Sequence, residues 1–214
     1  QIVESYKEIV VAPDYSEDAL DVLTGKEDLR VLAVGRGAVG GPESEGAEES
    51  GFGEPTSRYT EKDLVGGRLV QERDFQDPDM GDCEVVTERK PTAAQLETMR
   101  FAWRTFKHVK SNAIVFASGT ETVGVGMGQV SRVDAVRLAA LKAEEHAEGK
   151  SAEGAVMASD AFFPFPDGVE YAAEAGVEAV VQPGGSQNDD AVVAAADEHD
   201  MAMVLTGSRC FRHD

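Results

Sequence analysis

Apolar positions along this chain switch between two periods, and the switches divide it into strands and helices. Short runs rich in Val, Ile and Leu read as strands at 8–12 (EIVVA), 29–34 (LRVLAV), 112–116, 122–125, 155–159, 177–182 and 201–205. Two weaker ones lie at Arg68–Gln71 and Glu84–Val86. Between them, apolar residues recur at helical spacing. Asp14 or Ser16 caps a helix over Glu17–Leu23. Thr92 with Gln95 forms a capping box ahead of Leu96, Met99, Trp103 and Phe106, a stripe that reads as core. Ser131 caps a helix running through Val133, Val136, Leu138 and Leu141 to about Gly149. Two more cover Asp167–Ala175, with Asp167 as cap and Gly176 as stop, and Asp189–Glu198, with Ser186 or Asn188 as cap. Ser118-Gly119 turns one strand back on the next as a hairpin.

Two stretches carry little pattern. Gly35–Ser57, rich in Gly, Glu and Ser, predicts a mobile acidic loop, and Asp74–Asp82 a second acidic loop. From residue 155 onward strand and helix alternate regularly. That order predicts an α/β domain with a largely parallel sheet covered on both faces. Ligands bind such sheets beyond the carboxyl ends of the strands. Three ends stand out here: Ser159-Asp160, Gln182 to Ser186, and Thr206 to Arg209.

Composition narrows the partners. Asp and Glu number 40 against 20 Lys and Arg, a formal charge of −20. Such a surface repels phosphate backbones and anionic lipid, which argues against nucleic acid and membrane as partners. The acids are spread along the whole chain and Arg outnumbers Lys, a pattern that fits adaptation to high salt better than a local acidic patch. Hydrophobic content of 42% over 214 residues is enough for a sizeable core. Cys83 and Cys210 form no CxxC and point to a reducing, cytoplasmic setting. No apolar run approaches the ~20 residues of a membrane span. Gln1 enters directly into structured-looking sequence without an initiating Met, so the chain reads as a fragment.

Five segments carry candidate chemistry. Gly124-Val125-Gly126-Met127-Gly128-Gln129 sits between a strand and a helix. It suits either a phosphate at the helix N-terminus or close packing of helix on strand. Arg132 opposes the helix dipole there, which a ligand contact would explain. Ser159 to Asp167 holds three Phe and two Pro, a stiff aromatic wall for a flat heterocycle, with Asp167 able to accept paired hydrogen bonds from an aminopyrimidinone edge. Gln182 to Asn188 is a glycine-containing turn fit for backbone contact with a ligand. Arg209 to His213 is a basic cluster in an acidic chain. At His108 to Asn112, Asn112 offers paired donor and acceptor groups for a carboxamide, whereas His108 reads as a surface residue. The zinc-deaminase signature and the GxSxG elbow are both missing from the sequence.

Taken together, KSNAIVFA, VGVGMGQVSRVDAVRLA, SDAFFPFPDGVE, AGVEAVVQPGGS, ADEHDMAMVLTG and RCFRH resemble the formyltransferase part of the AICAR transformylase/IMP cyclohydrolase family of purine biosynthesis. VAPDYSEDALDVL and VGGRLVQERD fit less specifically, and only residues 35–57 fall outside the likeness. The resemblance implies a three-layer α/β/α, cytidine-deaminase-like sheet without zinc. It implies formyl transfer from 10-formyltetrahydrofolate to AICAR ribotide, and a homodimer with shared active sites. Residue by residue, it implies AICAR contacts at Asn112, Arg132 and Arg209, with Asn112 positioning the carboxamide or the oxyanion. It implies a folate pocket at Val133, Phe162, Asp167, Ser186 and Gln187. Ser111, Asp160 and His213 lie near a structural potassium site in some members, and Ala113 stands where those have a serine.

The reaction needs alignment of a weakly nucleophilic amine, a base for its proton and donors for the oxyanion. The family's Lys-His pair, its RYGENPHQ motif and the cyclohydrolase domain lie upstream of the matched residues, and His108 does not take the pair's position. The resemblance therefore implies the C-terminal portion of a formyltransferase. Its rivals are a non-catalytic ligand-binding or assembly fragment completed by a separate N-terminal chain, and another folate- or purine-binding enzyme on the same scaffold.

Overall fold

The computed structural model describes residues 2–4, 6–35, 59–74, 76–146 and 151–212. Almost all of the expected acidic loop at 35–57 therefore lies outside the described residues, as does His213. The chain divides into two compact units, Gln1–Phe75 and Gln76–Asp214. No helix among the described residues is long and apolar enough to cross a membrane.

In the first unit, β1 (Ile9–Ala12), α1 (Glu17–Thr24) and β2 (Arg30–Ala33) form a crossover in which the two strands pair in parallel, Val10 opposite Val31. Ser16 caps α1 by accepting the Ala19 N–H at 3.3 Å. A hairpin follows, β3 (Tyr59–Leu64) and β4 (Gly67–Glu72), closed by a two-residue turn with Gly66 at φ +85°. The pattern of apolar residues predicts β4 but not β3. In YTEKDL the charges dominate, and pairing with β4 rather than burial makes it a strand: Arg68 reaches Asp63 at 2.9 Å and also pairs with Glu61.

The second unit holds β5 (Glu84–Val85), α2 (Ala93–Phe106), β6 (Ile114–Ser118), β7 (Glu121–Gly126), α3 (Arg132–His146), β8 (Val156–Ser159), α4 (Asp167–Glu174), β9 (Ala179–Gln182), α5 (Asp189–Glu198) and β10 (Ala202–Leu205). They make one six-stranded sheet in the order β5-β10-β9-β8-β6-β7. Only β8, β9 and β10 lie side by side in parallel; β5 is antiparallel to β10, and β6 to both β7 and β8. The expectation of a largely parallel sheet is thus corrected to a mixed one. The reason is local: β6 and β7 are joined by a tight turn with Gly119 at φ +58°, and so short a link allows only antiparallel pairing.

Alternation along the strands assigns the two faces. Ile114, Phe116, Met157, Val180 and Met203 face α3, α4 and α5 in one buried cluster. Val115, Ala158, Val181 and Val204 face α2 with Met99, Trp103 and Phe106 in the other. Each large side chain so buried contributes on the order of 2 kcal/mol. The Thr92–Gln95 capping box forms in both directions.

Two glycines let α3 lie directly on β7. A Cβ on Gly124 would stand 2.1 Å from the Ala139 carbonyl oxygen, and one on Gly126 1.8 Å from that of Ala135. Close packing is therefore what these two residues of the glycine-rich segment provide. Gly128, at φ +66°, turns the chain with open space around it.

Candidate functional site

The strand directions bring every candidate segment of this unit to one rim of the sheet. The carboxyl ends of β7, β8, β9 and β10 and the amino ends of β5 and β6 all point the same way. Gly126 to Arg132, Ser159 to Asp167, Gln182 to Asn188, Thr206 to Arg212 and Ser111 to Ala113 are the loops at that rim.

Its most ordered part is a polar knot around Arg132. This guanidinium is only 8% exposed, yet it is fully engaged from one side. Nη1 donates to Ser159 Oγ at 2.9 Å and to Asp160 Oδ1 at 2.5 Å, and Nη2 donates to Asn112 Oδ1 at 3.0 Å. Asp160, with no exposed surface, accepts the Ala113 N–H on its other oxygen at 3.1 Å. A charge taken out of water requires such partners, because an unpaired one would cost several kcal/mol. Arg132 thus has an internal counter-ion. The adverse position at a helix start has an explanation inside the chain.

Asn112 is held just as firmly. Its Nδ2 donates to Gln129 O and Val130 O, both at 3.0 Å, which uses both amide hydrogens. What it retains for a ligand is acceptor capacity on Oδ1, since a carbonyl oxygen carries two lone pairs. The geometry favours positioning a ligand's N–H over donating to an oxyanion.

Ordinary backbone bonds stitch the C-terminal segment to this knot. Cys210 N–H donates to Asp160 O at 3.0 Å, and Arg212 N–H to Ser111 Oγ at 2.9 Å, with Ser111 N–H returning to Arg212 O at 2.9 Å. Arg209, just ahead of these anchors and exposed, lies over the Phe162 ring at 5.7 Å and over Phe211 at 5.9 Å. Such contacts are worth roughly 0.5–1 kcal/mol at exposed sites. The basic cluster is therefore placed against the aromatic loop.

The aromatic loop divides its three rings. Phe163 is buried in the core against Gly168, where a Cβ would stand 2.7 Å from its ring. Phe162 is half-buried under Arg209, and Phe165 is 60% exposed. Two side-chain amides that the sequence pattern left as turn residues hold the loop. Buried Gln182 accepts the Phe163 N–H at 3.1 Å, and Asn188 donates to Pro164 O at 2.8 Å. The second bond ties the Phe loop to the Ser186–Asn188 turn. Asn188 caps α5 by position but makes no side-chain cap bond.

Asp167 is the first residue of α4 and not its cap; Pro166 holds the cap position, and no side chain caps the helix. The proline at the cap leaves the Asp167 carboxylate with one bond among the described residues, from the Gly168 N–H at 2.9 Å. It is exposed and open to a ligand. Val133 is half-buried and Gln187 exposed; they share the rim without a recorded side-chain contact to the other candidates. His108 is exposed.

Of the potassium set, His213 lies outside the described residues. Asp160 is committed to Arg132 and Ser111 to Arg212, and a guanidinium beside the one buried carboxylate repels a cation. The described residues thus engage both of these side chains within the chain. They hold no group of three or more His, Cys, Asp and Glu side chains suited to a metal.

A cleft of about 570 Å3 opens at the same rim, between Pro78–Glu84 and the Pro183–Gly185 and Thr206–Gly207 turns. Cys83 lines it, but burial, followed by Asp79 and Asp82, pushes its thiol pKa up, so it is no ready nucleophile. A second hollow of about 440 Å3, beside Leu141, Tyr171 and Glu174 on α3 and α4, contains none of the candidate residues.

Comparison with known proteins agrees with the motifs. The family model described as AICARFT/IMPCHase bienzyme matches residues 1–142. The bifunctional purine biosynthesis proteins PurH of Brucella ovis and of Brucella suis biovar 1 are each 48% identical over 219 residues, taking in 100% of this chain and 38% of the relative. The chain thus spans 38% of the length of the curated relatives it matches.

Proposed function

The chain belongs to the AICARFT/IMPCHase bienzyme family, and from that premise we propose that it carries the folate pocket and part of the AICAR pocket of a formyltransferase of purine biosynthesis. The observation that bears most of the weight is the meeting, on one rim, of the Arg132–Asn112 knot with Arg209 stacked on Phe162.

In this reading a pterin lies along the Phe162–Asp167 loop, with Asp167 accepting from its amino edge and the Ser186-Gln187 turn and Val133 closing the pocket. AICAR ribotide lies beside it against Arg132, Asn112 and Arg209. The carboxamide donates to Asn112 Oδ1 and accepts from an arginine, which aims the neighbouring amine at the formyl carbon. The amine nitrogen bonds to that carbon, the carbonyl electrons move to oxygen, and collapse expels the folate nitrogen. One proton leaves the amine and one reaches the leaving nitrogen. Arg132 is the best-placed cation for the transient oxyanion, because a pre-held donor in a nearly dry site needs little reorganisation. The deaminase-like layering and a homodimer with shared sites complete the reading on the family likeness, and a salt-rich cytoplasm on the excess of 40 acidic over 20 basic residues. Potassium has no step in it.

Two experiments separate this reading from its rivals. AICAR ribotide and 10-formyltetrahydrofolate are titrated into the chain at high salt, and formyl transfer is assayed in the same solution. Binding of both ligands supports the proposal, and binding without turnover favours the ligand-binding fragment as the state of these residues alone. Failure to bind either ligand refutes it.

A further inference from the structure

The polar knot contains one group that the proposed chemistry does not touch. We infer that Asp160 is a positioning residue for AICAR recognition, acting through Arg132 and the Ser111–Ala113 segment; the inference rests on the functional reading above.

The argument begins with what Asp160 joins. Its carboxylate takes the Arg132 guanidinium on one oxygen and the Ala113 N–H on the other. Its backbone N–H donates to Ala113 O at 3.3 Å, and its carbonyl accepts the Cys210 N–H. One residue with no exposed surface thus binds three chain segments: the entry to β6 beside Asn112, the first turn of α3, and the C-terminal segment beside Arg209. Those are the segments that carry the three proposed AICAR contacts. No described bond joins Asp160 to Val133, Phe162, Asp167, Ser186 or Gln187, the proposed folate residues.

Orientation is the second part. A guanidinium has five N–H groups in a fixed fork. Ser159 and Asp160 take both on Nη1, and Asn112 takes one on Nη2. The Nε–H and the second Nη2–H have no partner among the described residues. With Nη1 fixed by a buried carboxylate, the plane of the fork is set, and the two remaining N–H groups are presented as a pair to a carbonyl or other anionic oxygen. An arginine on a mobile surface loop would have to be ordered by the ligand, at a cost in affinity. Here Asp160 has already met that cost.

The test compares ligands rather than asking only for loss. In the full chain at high salt, dissociation constants for AICAR ribotide and for 10-formyltetrahydrofolate are measured for wild type, Asp160→Asn and Ser159→Ala, together with the Arg132 Nε–H resonance. Misplacing the fork by an ångström is expected to weaken AICAR ribotide about ten-fold or more in Asp160→Asn and to leave folate within about two-fold. The Nε–H signal, shifted by AICAR ribotide in wild type, should broaden in the variant. Ser159→Ala removes a neutral partner of the same Nη1, together with the Ser159 Oγ–H bond to Ala161 O at 2.7 Å, and should give a smaller loss weighted to the same ligand. If Asp160→Asn does not fold, Ser159→Ala decides: a selective loss supports the inference, and equal or no loss overturns it. Wild type that binds neither ligand overturns the functional reading and this inference with it. Wild type that binds both, with Asp160→Asn either unchanged or weakened equally for both ligands, overturns the inference alone.

Discussion

Replacing Gly126 by alanine tests whether close packing of α3 on β7 sets the position of Arg132. The new Cβ would stand 1.8 Å from Ala135 O, 2.7 Å from Ala135 C and 3.0 Å from its Cα. All three atoms are helix backbone, so no flexible side chain can yield. Restoring an ordinary contact of roughly 3.5 Å requires α3 to retreat by about 1.7 Å. Overpacking of this kind typically costs about 1–3 kcal/mol. Against it stands a gain of about 0.4–1 kcal/mol from stiffening the unfolded chain. The net loss is then about 1.3 kcal/mol at the midpoints of these ranges, or a fall of roughly 3–5 °C in melting temperature for a chain of this size. Arg132 begins the displaced helix and would lose hold of Asn112 just ahead of β6, so AICAR ribotide should bind at least about ten-fold more weakly. Gly119→Ala is the control. It has nothing within 4 Å but sits at φ +58° at the far end of the hairpin, so it should lower stability by a similar amount without touching binding. Urea unfolding and calorimetric titration read both quantities. If Gly126→Ala is as stable as wild type and binds as tightly, the packing argument fails.

Three other outcomes follow from the same geometry. Asp167→Ala should weaken folate much more than AICAR ribotide and cost α4 little, since Asp167 makes no cap; equal loss of both ligands in paired titrations would contradict this. The Arg104 guanidinium, and then Arg100, hold the Asp77 carboxyl below its ordinary range, so the pair stabilises above the unfolded value near pH 4 and that contribution is lost as pH falls through the lowered folded one. Asp77 is well solvated, so Asp77→Asn should cost less than about 1 kcal/mol near neutral pH in thermal melts and nothing once the carboxyl is protonated. With 40 acidic against 20 basic residues, the fold should lose structure on dialysis to low salt, followed by circular dichroism; unchanged melting would count against the halophilic reading.

Much of the second unit is legible in its sequence because its signals are local. The Thr92–Gln95 box, the stripe through Trp103 and Phe106, and the alternating strand–helix order from residue 155 all fold as the spacing dictates. Strand direction is less legible, because pairing partners are not encoded in period: nothing in the β6 pattern says that it runs against β8. The rim was readable as a set of loops, but not the bonds that join them. Arg132 finds Asp160 across 28 residues of sequence, and Asn188 reaches Pro164 across 24. Such contacts depend on the fold being complete. The Gly-rich segment shows how two readings of one motif are decided by distance: at Gly124 and Gly126 helix backbone fills the space a side chain would need. Asp167 shows the reverse, a residue whose cap role was expected from its place before a helix and is taken instead by the preceding proline.

The claim that matters most is that this rim holds AICAR ribotide. Its direct test is equilibrium titration of that ligand at high salt into wild type, Arg209→Ala and Tyr171→Ala, the last in the hollow beside α3 and α4. Saturable binding to wild type, weakened about ten-fold or more by Arg209→Ala and unchanged by Tyr171→Ala, is the predicted result. No binding, or loss through Tyr171→Ala with Arg209→Ala intact, would contradict it.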